Sequence, residues 1–175
     1  MLVPSKEFNN IKIHTQYSIC EGAIKIDDLA DYCKINKIKA IGLADTNNLC
    51  GALEFSEKIS KVGTQPIIGT QINLSFESII GKITLYATSE KGYKNLTKLS
   101  SLSYLKKKDT HEPSCDLNDL ISNNEDLILL TGSYKNLFGQ LFYSNKEKNV
   151  KELIEKLKST FDNRIYIEIQ RHEEN

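Results

Sequence analysis

Polarity alternates near the start of the chain and then changes period. Ile11 and Ile13 flank Lys12, and His14 follows, so an extended segment there puts the isoleucines on one face and Lys12 with His14 on the other. A polar loop runs from Thr15 to Glu21 and closes at Gly22. Beyond it Ile26, Leu29, Ala30 and Cys33 fall at the spacing of an amphipathic helix, with Asp27 and Asp28 in the first turn, where acidic groups suit the helix dipole. Residues 39–44 are short and nearly all apolar, as in a strand buried on both faces, and Asp45-Thr46-Asn47-Asn48 makes a polar turn. Ala52, Phe55, Ser56, Ile59 and Val62 restore the helical spacing up to Gly63, and residues 66–72 predict the third strand. Strand and helix thus recur with a unit of roughly 28 residues, the range of a βαβ crossover.

The second half repeats the theme less regularly. A strand is expected at 82–87, then a helix carrying Tyr93, Leu96, Leu99 and Leu102, then an exposed loop from Lys106 to Asp116. Asp116 caps a short helix over 116–121, and 126–131 predicts another buried strand. Val150, Leu153, Ile154, Leu157 and Phe161 form a helical stripe. In the strand expected over 164–170, Ile165, Ile167 and Ile169 share one face and Tyr166, Glu168 and Gln170 the other. Six strands with intervening helices predict a parallel α/β architecture, either an open sheet or a barrel. Polar residues gather after the strand ends: His14 to Glu21, Asp45 to Asn48, Gln71, and Arg171 with His172. In a β/α barrel that rim holds the active site.

Composition narrows the partners. Lys plus Arg (23) balance Asp plus Glu (23), so no net field draws the chain to nucleic acid or an anionic membrane. The four cysteines include no Cys-x-x-Cys pair, no basic-then-apolar leader opens the chain, and the apolar runs fall short of the ~20 residues that span a bilayer. A cytoplasmic protein with reduced thiols and no membrane partner is expected. Cys20, Cys50, His111 and Cys115 share no finger-like spacing, so no zinc site is predicted from them. Lys106, Lys107 and Lys108 read as a solvated loop rather than a DNA contact. There is no Gly-rich phosphate loop and no nucleophile elbow.

Several short matches occur in a consistent order. His14-Thr15-Gln16-Tyr17-Ser18 with Glu21-Gly22-Ala23, then Ala44-Asp45 with Asn48-Leu49-Cys50-Gly51-Ala52 and Phe55, then Pro66-Ile67-Ile68-Gly69, resemble the start of the PHP (polymerase and histidinol phosphatase) domain. Gly92-Tyr93, Asn95-Leu96, Lys98-Leu99-Ser100-Ser101, Tyr104-Leu105 and Glu168-Ile169-Gln170-Arg171-His172 resemble in particular the version at the N-terminus of the alpha subunit of bacterial DNA polymerase III. The resemblance implies a distorted β/α barrel of seven strands with metal ions held in its mouth by His, Asp and Glu. It also implies that residues 1–175 are one PHP domain, the N-terminal portion of a much longer polymerase, with the barrel incomplete at its C-terminus and about six parallel strands present.

The same comparison argues against a metal site here. The family's first motif carries a His-x-His pair, and Lys12 stands at the first of its two positions, ahead of His14. A protonated ammonium is a donor only. Glu21 matches the next ligand and Asp45 is kept, but Thr46 replaces the following His and Gln71 replaces a carboxylate. Losing three ligands and gaining a positive charge removes the donor set that such a site needs. Lys12, His14, Glu21, Asp45, Thr46, Gln71 and His172 are therefore expected to be the remnant of a metal site, with no metal and no catalytic residue in this stretch. Lys12 is expected to fill the metal's space and neutralise Asp45 and Glu21. The implied parent protein is a nucleotidyltransferase that extends DNA from deoxynucleoside triphosphates with magnesium during replication. Its partners are other polymerase III holoenzyme subunits, above all the proofreading exonuclease, which the PHP domain docks, and DNA is met through the parent rather than here. The rival reading is a metal-dependent phosphoesterase, either a histidinol-phosphate phosphatase or a proofreading nuclease.

Overall fold

A computed structural model of the chain describes residues 8–77, 79–106, 112–144 and 146–169. Among these, helix α1 (Ile26–Asn36) precedes strand β1 (Ala40–Thr46), and α2 (Ala52–Lys61) leads into β2 (Gln65–Phe76) and β3 (Ile79–Ala87). Then come α3 (Glu90–Leu105), the two-residue strand β4 (Cys115–Asp116), α4 (Leu117–Ser122), β5 (Leu127–Leu130), α5 (Leu137–Tyr143), α6 (Glu147–Phe161) and β6 (Ile165–Tyr166). The stripes set the helices: Ile26, Leu29, Ala30 and Cys33 are the buried positions of α1, and Leu153, Leu157 and Phe161 those of α6. Asp116 caps α4 in a reciprocal box with Asp119, each side chain accepting from the other's backbone N–H at 2.8 and 3.3 Å. Asp116→Ala removes one half of that box and is expected to cost about 1 kcal/mol in urea unfolding.

The six strands form one open sheet in the order β1-β2-β3-β5-β6, with β4 paired to the far end of β2. The expectation of about six parallel strands needs one correction. β1, β2, β4, β5 and β6 run the same way, but β3 is antiparallel to both neighbours. It returns directly from β2 through a tight turn in which Glu77 takes φ 48°, so no crossover helix lies between them. The strand expected at Ile11–His14 is reduced to single bridges, Ile13 to Leu43 and Thr15 to Ile24. It still extends the sheet beyond β1, because Ile13 N–H donates to Gly42 O at 3.2 Å and Ala44 N–H to Ile13 O at 2.8 Å.

The period of two gives the sheet distinct faces. Ile41 and Leu43 of β1 pack with α1 and α2, while Ile72, Leu74, Ile83, Leu85, Leu127 and Leu129 pack with α3, α5 and α6. The other face is concave and holds Ile67, Tyr86, Ile128, Leu130, Tyr166 and Glu168, which line a groove of about 590 Å³ together with residues 8–12. Gly69 faces Tyr86 across the β2–β3 ladder; a Cβ there would lie 2.4 Å from the tyrosine ring, so only glycine admits the ring into this layer. The Tyr86 hydroxyl donates to Ile11 O at 2.9 Å. Burial, helped by the charge of Glu168, pushes its phenol well above the ordinary range.

Candidate functional site

The mouth of the concave face lies at the C-terminal ends of β1 and β2, beside the N-terminal part of the reversed β3. In register, Thr46 sits beside Gln71, Gln71 opposite Thr84, Thr84 opposite Leu130, and Leu130 beside Tyr166. Lys82, one inward position nearer the rim, is opposite Asn73. The segment 10–14 enters from the β1 side, and the residues after β6 enter from the opposite edge. The charged groups of this rim, Lys12, Glu168, Lys82 and Glu21, are paired within the protein.

Lys12 Nζ donates to both carboxylate oxygens of Glu168, at 2.8 and 3.0 Å, and the two side chains are only 18% and 11% exposed. That placement corrects the expected neutralisation of Asp45 and Glu21 by Lys12. The ammonium spans the gap between the two free edges of the sheet, where Glu168 faces it. Ile167 and Ile169, which share a face by alternation, are exposed. Periodicity assigns residues to two faces but does not say which face is inward.

Glu21 is engaged by Lys82, which the sequence reading did not single out, and by the Thr46 hydroxyl. Burial pushes the Glu21 carboxyl up, but the hydrogen bonds from Lys82 and Thr46 outweigh it and hold the group below the usual glutamate range. His14 lies beside them, with Nδ1 4.0 Å from Glu21 and 3.4 Å from Ser18 Oγ. Burial lowers its pKa, opposed by the Glu21 charge and assisted by Lys12, which favours the neutral imidazole.

Asp45 plays a different part. It is fully buried and accepts from Thr15 N–H at 2.6 Å, Thr15 Oγ1 at 2.7 Å and Ser18 Oγ at 2.6 Å. Its strand neighbours of the same parity, Ile41 and Leu43, belong to the helix-facing core, so Asp45 anchors the loop 15–18 rather than lining the mouth. Ser18 Oγ in turn accepts from Thr46 N–H at 3.0 Å, and Tyr17 donates to Glu54 at 2.6 Å.

Gln71 is buried at the mouth, and Thr84 Oγ1 across the ladder has no hydrogen-bond partner among the described residues. His172 and His111 lie outside the described residues, as do Lys107 and Lys108, while Lys106 is held by Asp119 and Asp116 at 2.6 and 3.2 Å. Cys20 and Cys50 are exposed; Cys115 is buried, its thiol directed at Leu99 O and pushed up to about 12 by burial. No group of three or more His, Cys, Asp or Glu among the described residues is arranged to hold a metal ion. The donors present fit one poorly, because the two mouth carboxylates Glu21 and Glu168 each carry an ammonium where a cation would bind.

Comparison with known proteins gives a consistent family. The profile described as PHP domain matches residues 10–172. The chain is 36% identical over 168 residues to DNA polymerase III subunit alpha of Rickettsia felis, covering 95% of this chain and 14% of that protein. It is 34% identical over 178 residues to the same subunit of Caulobacter vibrioides, covering 94% and 15%, and 34% over 182 residues to that of Aquifex aeolicus, covering 95% and 16%. The chain thus spans a small part of the length of these relatives. Among solved structures, a protein assigned as a metal-dependent phosphoesterase of Bifidobacterium adolescentis aligns with TM-score 0.54 at 13% identity over 85% of this chain and 74% of that one. An amidohydrolase of Chromobacterium violaceum aligns with TM-score 0.50 at 9% identity over 91% and 84%. At those identities the likeness is one of fold.

Proposed function

The chain belongs to the PHP domain family, and from that premise we propose that it is the PHP domain of a replicative DNA polymerase alpha subunit whose barrel mouth is held by ion pairs in place of metal ions. The parent polypeptide on this reading carries out template-directed nucleotidyl transfer with magnesium, and none of that chemistry resides in residues 1–175. The domain itself is catalytically silent and serves as a structural platform within the holoenzyme, docking the proofreading exonuclease subunit. It works in the cytoplasm, where replication occurs; no helix of the described residues is long and apolar enough to cross a membrane.

The observation that carries the reading is the two-pronged contact of Lys12 with Glu168. A lysine cannot leave this position without uncovering a part-buried carboxylate, and it cannot ligate a metal while it stays. The Lys82–Glu21 pair supports the reading at the other rim position. The test is elemental analysis of protein purified without chelator, with thermal melts in EDTA, zinc or manganese and a phosphomonoester assay. Substoichiometric metal, a melting temperature unmoved by metal or chelator, and no turnover are expected. Stoichiometric zinc or manganese accompanied by phosphoester hydrolysis would overturn the reading in favour of a metal-dependent phosphoesterase.

A further inference from the structure

Between β5 and α6 the chain builds a surface that the mouth does not explain. Tyr134, Phe142 and Tyr143 are 60%, 57% and 69% exposed, whereas Leu137 and Leu141 anchor α5 in the core. The rings are organised despite their exposure. Tyr134 and Tyr143 meet edge to face with centroids 6.5 Å apart, Phe142 and Tyr143 do so at 6.1 Å, and Lys135 Nζ lies 5.7 Å from the Tyr134 ring. Tyr134, Lys135, Gln140, Tyr143 and Ser144 line a shallow, open cleft of about 420 Å³.

The backbone under the cleft is fixed. Gln140 Nε2 donates to Lys135 O at 3.0 Å and Ser144 Oγ to Gln140 O at 2.7 Å. At Gly139 a Cβ would lie 1.6 Å from Tyr134 O, so glycine alone permits the loop to lie directly on the helix. The local charge also departs from the neutral whole. Residues 134–151 hold Lys135, Lys146, Lys148 and Lys151 against the single acid Glu147, and Glu152, next along, is engaged by Lys156 at 2.7 Å. An occupant suited to this lining offers planar apolar faces to the rings and negative charge to Lys135.

We propose that this aromatic cleft at α5, with Lys135 on its lining, binds a single-stranded polynucleotide, with bases stacking on Tyr134 and Tyr143 and a phosphate meeting Lys135. Stacking on aromatic side chains beside a basic track is the general chemistry of sequence-tolerant single-strand binding. A duplex satisfies only half of it, because its base faces are occupied by neighbouring bases. An acidic peptide satisfies Lys135 but brings no stack of planar rings. The inference adds a direct nucleic-acid contact to the platform role and does not depend on the mouth being metal-free.

Fluorescence anisotropy of a labelled thymidine oligomer of about 12 nucleotides, titrated with the protein, tests it. The single strand is expected to bind more tightly than a duplex of the same length, and to weaken as salt rises from about 50 to about 200 mM. Tyr134→Ala with Tyr143→Ala is expected to weaken binding roughly tenfold or more, while Tyr134→Phe with Tyr143→Phe keeps it. Lys135→Ala is expected to flatten the salt dependence. Circular dichroism of each variant checks that it is folded; because the replaced side chains are exposed, the wild-type spectrum is expected. Equal affinity for duplex, binding unchanged in the folded double-alanine tyrosine variant, or displacement of the oligomer by poly-glutamate at matched charge would overturn the proposal.

Discussion

Replacing Lys12 with methionine is expected to lower the unfolding free energy by about 2 kcal/mol, well beyond what any surface lysine contributes. Lys94 and Lys156 make helical pairs at i and i+4 in the open, and such pairs are worth a few tenths of a kcal/mol. The Lys12–Glu168 pair differs in two respects. Both side chains are largely out of water, so Coulomb attraction is screened less. The pair also joins segments 156 residues apart, across the one side of the sheet that no ladder closes. Methionine keeps most of the lysine's apolar volume, so the loss reports the ammonium and not a cavity. The measurement is a urea-unfolding double-mutant cycle with Glu168→Gln, in which the double variant is expected to be more stable than the two single losses added together. Strict additivity would show that the two groups do not interact and would remove the main support for a metal-independent mouth. Lys12→His is expected to lose stability as well, since Thr46 and Gln71 still supply no charged donor and the ammonium is gone.

The helices were legible because each one's apolar stripe is continuous. α1, α2, α3 and α6 lie where their spacing puts them, and Asp116 caps α4 as its sequence implies. α5 was not legible: its seven residues bury only Leu137 and Leu141, while Phe142 and Tyr143 blur the stripe from the exposed side. The β2–β3 hairpin was hidden for another reason. Its turn at Glu77 carries none of the Asn-Gly or Asp-Gly chemistry that announces a two-residue connection, so two long strands read as units joined by a crossover. That error concealed Lys82, because only a reversed β3 brings its early residues to the rim beside Glu21. Lys12 stood out at once as a cation where a ligand belongs. Its partner did not, since the closeness of Glu168 follows from the curl of the whole sheet and from nothing local.

Asp45→Ala is expected to be the most damaging of these substitutions, at about 3 kcal/mol or more. Three donors converge on this carboxylate: the Thr15 N–H and the hydroxyls of Thr15 and Ser18. Asp45, Thr15 and Ser18 are essentially closed to solvent. Truncation to alanine strands those donors in a place water reaches only if the loop opens, so the choice is between unsatisfied groups and local unfolding. Asp45→Asn is expected to cost less, because its carbonyl oxygen still accepts, but the amide NH₂ then confronts a donor it cannot bond. Local opening has a separate signature. Amide hydrogen exchange at Thr15 and Tyr17 should accelerate in Asp45→Ala by more than exchange in α6, because Tyr17 N–H is held by the Thr15 hydroxyl at 3.3 Å and that hydroxyl by Asp45. A loss below about 1 kcal/mol, within the ordinary range for a single substitution, would show that the loop has another anchor. A full loss with uniform exchange would show that loop and core unfold as one unit. The expected result, a large loss concentrated at the loop, makes this aspartate the residue that holds His14 and Glu21 in place, without itself facing anything that enters the mouth.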